Sequence, residues 1–169
     1  MQKSRGEVMK MNEVLDVLKG SLARVDGMKF LLDYEDLIWR ITPNAQSLQA
    51  LLEDMVEAEQ QLWSALLPEC LESRQRRIFQ DRLRERNRFW QKNDNRLGII
   101  NQFLSNRRIT LLLLEDLAGN DWNRNAPDGM NEGSVVDQVD RLIERQNQCL
   151  AMIQGILNER FEAMKKSAV

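Results

Sequence analysis

The chain contains no histidine. That removes the side chain whose proton comes off nearest neutrality and the commonest metal ligand, so histidine-based acid–base and metal sites are excluded. Only two cysteines occur, Cys70 and Cys149, far apart and in no zinc or redox spacing. They are expected to be free thiols in a reducing cytosol. Three prolines and eight glycines leave few obligatory breaks. No apolar run approaches the roughly 18–20 residues that a membrane-spanning helix needs. Met1 to Lys10 is polar and lacks the apolar core of a signal peptide, so a cytoplasmic location and no membrane partner are expected. A net charge of −2 is too small to steer a large polyanion.

What is present favours helices. Hydrophobic residues make up 43% of the 169-residue chain and charged ones 30%, the balance of one globular domain over residues 1–169. Leu, Gln, Arg, Glu and Met are prominent, straight-chain residues that lose little rotamer freedom in a helix.

Apolar spacing then divides the chain. From about Glu7 to Leu32, Val14, Leu15, Leu18, Leu22, Val25 and Leu32 keep the three-and-four period of one helix face. Gly20 and Gly27 weaken it by about 1 kcal/mol each relative to alanine. Asp33 to Arg40 reads as a short turn of helix running into Pro43, whose ring pushes Thr42 away from helical angles. A second helix is predicted from Ser47, its cap, to Leu67, with Pro68 as its stop. Leu71 to Asn95 is rich in arginine and reads as a charged, partly helical connection outside the core. The third helix spans about Arg96 to Leu117, with Gly119 just past its end. A polar loop with the turn signature Pro127-Asp128-Gly129 comes next, and Ser134 caps a fourth helix to about Met164. Four long amphipathic helices predict an all-α fold, a four-helix bundle. Its long second and third connections mean it need not be a plain up-and-down array.

Two stretches carry a family resemblance. One is Leu37-Ile38-Trp39-Arg40-Ile41-Thr42-Pro43 followed by the helix from Ser47 through Glu59. The other is Leu113-Leu114-Glu115-Asp116-Leu117-Ala118 with Asp121-Trp122, then Gly133-Ser134 and the final helix containing Cys149-Leu150-Ala151-Met152-Ile153. Together they resemble the DinB-like (YfiT-like) superfamily of four-helix bundles. The resemblance implies a divalent metal held by three histidines, one on the second helix and an i, i+4 pair on the fourth, serving thiol-dependent transfer or isomerisation. At the matching positions this chain has Asp54, Arg145 and Cys149. Asp54 and Cys149 could ligate a metal; a guanidinium has no lone pair to offer. The former metal-site positions are therefore expected to form an Asp54–Arg145 ion pair or a pocket, with no metal and no cofactor.

Other features carry a simple meaning beside a sharper one. Cys149 lies on the apolar stripe, where a small buried residue is the ordinary reading; an Arg145 neighbour would make the thiol more reactive. Arg74 to Lys92, interleaved with Phe79, Phe89 and Trp90, has the chemistry of a single-strand nucleic-acid surface, but a solvated connecting helix is its usual meaning. Asp54, Glu57 and Glu59 read as surface charges. The methionines read as fillers of core gaps. The expected function is that of a non-catalytic binding or structural protein, assembling as a homodimer through an exposed helix face. The alternative is a divalent-metal- or thiol-dependent transferase or hydrolase with an altered site around Asp54 and Cys149.

Overall fold

In a computed structural model, residues 5–70, 72–93, 98–118 and 135–168 are described, and every regular element among them is helical. The elements are α1 (Arg5–Leu31), α2 (Tyr34–Ile38), α3 (Leu48–Cys70), α4 (Ser73–Asn93), α5 (Gly98–Ala118) and α6 (Val135–Ser167). The all-helical expectation holds. Among the described residues no helix is long and apolar enough to cross a membrane.

Local chemistry accounts for several boundaries. α1 runs unbroken through Gly20 and Gly27, because burial of Leu18 and Val25 outweighs the glycine penalty. Asp33 opens α2 with a reciprocal capping box: the Asp36 N–H donates to Asp33 Oδ1 at 3.1 Å, and the Asp33 N–H to Asp36 Oδ2 at 3.0 Å. Ser47 caps α3, its Oγ accepting from the Ala50 N–H at 3.2 Å. Pro68 does not stop that helix, which continues to Cys70. In a last turn the proline forfeits a single backbone hydrogen bond, with no further turns left to disrupt. The expected Gly119 stop, the Asp121-Trp122 element, the 127–129 turn and the Ser134 cap lie outside the described residues, as do the side chains of Cys70, Phe89 and Trp90.

Four long helices share the core. α3 packs against α5 and α6, and α1 packs against the same two. Their buried apolar residues fall into two clusters. One gathers Leu18, Leu62, Trp63, Leu66, Leu114 and Val139; the other gathers Val25, Leu48, Leu52, Phe103, Leu150 and Ile153. Chain direction is set by the order in which each helix visits them. α1 and α6 pass from the first cluster to the second, whereas α3 and α5 pass from the second to the first. Thus α3 and α5 are neighbours that run the same way.

That arrangement explains α4. A chain leaving α3 at the first cluster must travel back along the molecule before α5 can begin at the second. The 21 residues of α4 cover about 30 Å at 1.5 Å per residue, which is one such return. The connection is therefore more helical than its composition suggests. It also touches the core: Phe79 and Leu83 pack against the first cluster, Phe79 meeting Trp63 edge-on at 5.9 Å. Short α2 closes the opposite end with Leu37, which is fully buried. Arg160 of α6 reaches it, donating from Nε to Asp36 Oδ1 at 3.3 Å with its guanidinium 5.6 Å from the Trp39 ring.

Candidate functional site between α3 and α6

Asp54 lies on α3, and Arg145 and Cys149 lie one turn apart on α6, which packs against it. The three are brought into one neighbourhood, since the charges of Asp54 and Arg145 both act on the Cys149 thiol. Cys149 is buried, 7% exposed. Burial pushes its thiol above the ordinary value, Asp54 pushes the same way, and Arg145 pulls back only in part. The activation expected from an Arg145 neighbour is thus outweighed by desolvation, and the thiol is held protonated. The Asp54 carboxylate accepts from Gln46 Nε2 at 3.1 Å. Among the described residues no ion pair joins it to Arg145, whose side chain is exposed. Nor is any group of three or more His, Cys, Asp or Glu placed to hold a metal among those residues. Arg145 has no lone pair to offer, so these three side chains do not make the three-ligand metal set that the family resemblance implies.

One turn along, at the centre of the molecule, stands a polar layer that the sequence pattern did not reveal. Arg107 of α5 is fully buried and donates from Nε to Glu59 Oε1 of α3 at 2.7 Å. Its Nη1 donates to Ser21 Oγ of α1 and Gln146 Oε1 of α6. Its guanidinium lies 5.0 Å from the Phe103 ring centre. Each of the four long helices supplies one member, and the layer falls between the two apolar clusters. Glu59, expected to be a surface charge, is instead half of a buried ion pair. Glu59 Oε2 and Arg107 Nη2 have no hydrogen-bond partner. A second buried polar contact lies beside it, where Trp63 Nε1 donates to Thr110 Oγ1 at 2.7 Å.

The layer did leave a trace in the sequence. Arg107 continues the spacing of Ile100, Phe103, Leu104, Leu111 and Leu114; Glu59 continues that of Leu52, Met55, Leu62 and Leu66. A charge at a core register on each of two facing helices is the signal. It becomes decisive only when both registers are known to meet.

Beside the layer, the α3–α6 seam opens into a cleft of about 200 Å³. Ala58, Gln61 and Leu62 line it from α3; Gln138, Leu142 and Arg145 line it from α6, with Arg141 on the same face. Gln138 is 7% exposed, yet neither its Oε1 nor its Nε2 has a hydrogen-bond partner. Arg145 is thus one wall of this cleft.

On the Arg-rich helix α4, Arg74, Arg77, Arg82, Arg84 and Arg88 are exposed, whereas Phe79 is partly buried against Trp63. No family model, curated protein or solved structure matches the chain.

Proposed function

We propose that the chain is a DinB-like (YfiT-like) four-helix bundle that has lost the family's three-histidine metal site and serves as a non-catalytic binding or structural protein in the cytoplasm. The observation that carries this reading is the state of the three matching positions. Asp54 is engaged by Gln46, Arg145 offers only donors, and the Cys149 thiol is buried and kept neutral. The pairing of α1 and α3 with the same two helices around shared clusters supports the bundle. A neutral, buried thiol counts against the thiol-dependent transferase alternative, because the thiolate is the nucleophile. A homodimer belongs to the reading: Met152, Phe161 and Met164 leave apolar surface on α6.

Metal analysis of protein purified without an affinity tag tests the proposal. The expected result is a sub-stoichiometric content of every transition metal, before and after dialysis against zinc. A stoichiometric metal that is lost in Asp54→Ala or Cys149→Ala would overturn it.

A further inference from the structure

α6 outruns the bundle it belongs to. Ile156 is its last buried residue, yet the helix continues to Ser167, about 16 Å further at 1.5 Å per residue. Helices in proteins are held mostly by packing of an apolar face, which an overhang of three turns lacks within one copy. The apolar stripe nevertheless continues along it. From buried Leu150 the spacing runs to Leu157, Phe161 and Met164, steps that keep to one helix face in a heptad pattern. Leu157 still packs on the second cluster, whereas Phe161 and Met164 are 50% and 47% exposed. The bundle end beside them is apolar as well, with Phe30 and Leu31 exposed where α1 finishes and Ile38 exposed on α2. Charge along the overhang is ordered too. Glu159 and Glu162 come first and Lys165 and Lys166 last, while Arg160 is taken by Asp36 and the Trp39 ring. The Glu162–Lys165 pair at 3.3 Å is solvated and therefore weak.

We propose that this overhang pairs with the overhang of a second copy of the chain, antiparallel about a two-fold axis between Glu162 and Ala163. The order of residues fixes both the occupant and its direction. With Phe161 set against Met164 of the second copy, Leu157 meets Ala168 of that copy, and the apolar stripe is covered along its length. The same register brings Lys166 of the second copy to the height of Glu159, beside α2 with its exposed Asp33 and Glu35. A parallel copy would set Glu159 by Glu159 and Lys166 by Lys166, with the two helix dipoles side by side in the same sense. An overhang with an acidic base and a basic tip is complementary to itself reversed, which is what a two-fold interface requires. The inference gives the homodimer of the preceding reading its surface and its orientation, and rests on that reading.

Sedimentation equilibrium of the full chain tests it, and a reversible dimer is expected. Phe161→Glu and Met164→Glu should each weaken that dimer about a hundredfold, since each places two carboxylates in an apolar contact. Both positions are half exposed in a single copy, so circular dichroism of the variants should match the parent. Met152→Ser, half a turn round α6 from Phe161, should dimerise as the parent does. Orientation is read by disulfide trapping in a Cys70→Ser background. Phe161→Cys mixed with Met164→Cys should oxidise to the mixed disulfide in preference to either homodisulfide, identified by mass spectrometry. A monomeric parent, a dimer that survives both glutamate variants, or a preference for homodisulfides would each overturn the inference. Failure here and failure of the earlier reading are distinguishable. A metal-free dimer that is lost in Met152→Ser and kept in Phe161→Glu refutes this pairing and leaves the homodimer and the metal-free bundle in place.

Discussion

Cys149 shows how burial and charge compete at a single residue. Asp54 and Arg145 oppose each other at the thiol, and desolvation then decides the direction. In a Cys70→Ser background, alkylation of Cys149 by iodoacetamide at pH 7–8 should be far slower than in unfolded protein. The rate should keep climbing as pH passes roughly 8.5, the ordinary thiol value, with no plateau there. The same shift has a stability consequence of definite sign. The folded thiol holds its proton more tightly than the unfolded one, so its contribution is complete below the unfolded value. It is lost as pH rises through the raised folded value. Cys149→Ala should therefore lose less stability than the parent between neutral pH and the alkaline range, read by urea unfolding. A thiol that reacts at the unfolded rate near neutrality would contradict this. The thiol's burial was legible in the sequence from its place on the α6 stripe; the winner among the three influences was not, because it depends on a helix packed across from it.

At the scale of elements, the helices were largely legible from local chemistry. Ser47 and its apolar run announce α3, and the capping box over Asp33 and Asp36 accounts for α2. Replacing Ser47 by Ala should cost about 1 kcal/mol, because an Ala50 N–H then lacks its acceptor. The glycines offer the opposite case. A methyl group added at Gly20, Gly27 or Gly155 would meet open space. Each change to Ala should stabilise by about 0.8–1 kcal/mol, raising Tm by a few degrees in calorimetry. No gain at any of the three would mean that a helix is not continuous there. α4 was the least legible element. Its apolar content is low, and its length is set by the distance the chain must return between α3 and α5, which no local pattern encodes.

The whole molecule turns on the layer that joins α1, α3, α5 and α6 through Ser21, Glu59, Arg107 and Gln146. Removing one partner of a buried ion pair strands the other, at a cost of about 3–5 kcal/mol. Against a typical total of about 5–15 kcal/mol, Glu59→Gln and Arg107→Gln should each lower the urea midpoint severely. The double variant Glu59→Leu with Arg107→Met should recover much of that loss, since no charge is then left without a partner. If the double variant is as unstable as the sum of the singles, the pair is not the coupling it is taken to be. The layer's position between two apolar clusters gives it a second effect. A register slip of α3 or α5 would put a charge among leucines, so the pair sets how those two helices align with their neighbours.

The sequence by itself determined the core helices, their buried faces and the Ser47 cap, because periodicity, capping and propensity act within a few residues. It also determined that no histidine stands at the positions which the DinB-like resemblance marks. Only the tertiary structure decided that α3 and α5 run parallel, that Glu59 meets Arg107, and that Gln138 and Arg145 border one cleft. Those outcomes depend on which helix faces which, and at what height. Contacts between residues some forty to ninety positions apart are set by packing the whole core, and no local pattern carries them.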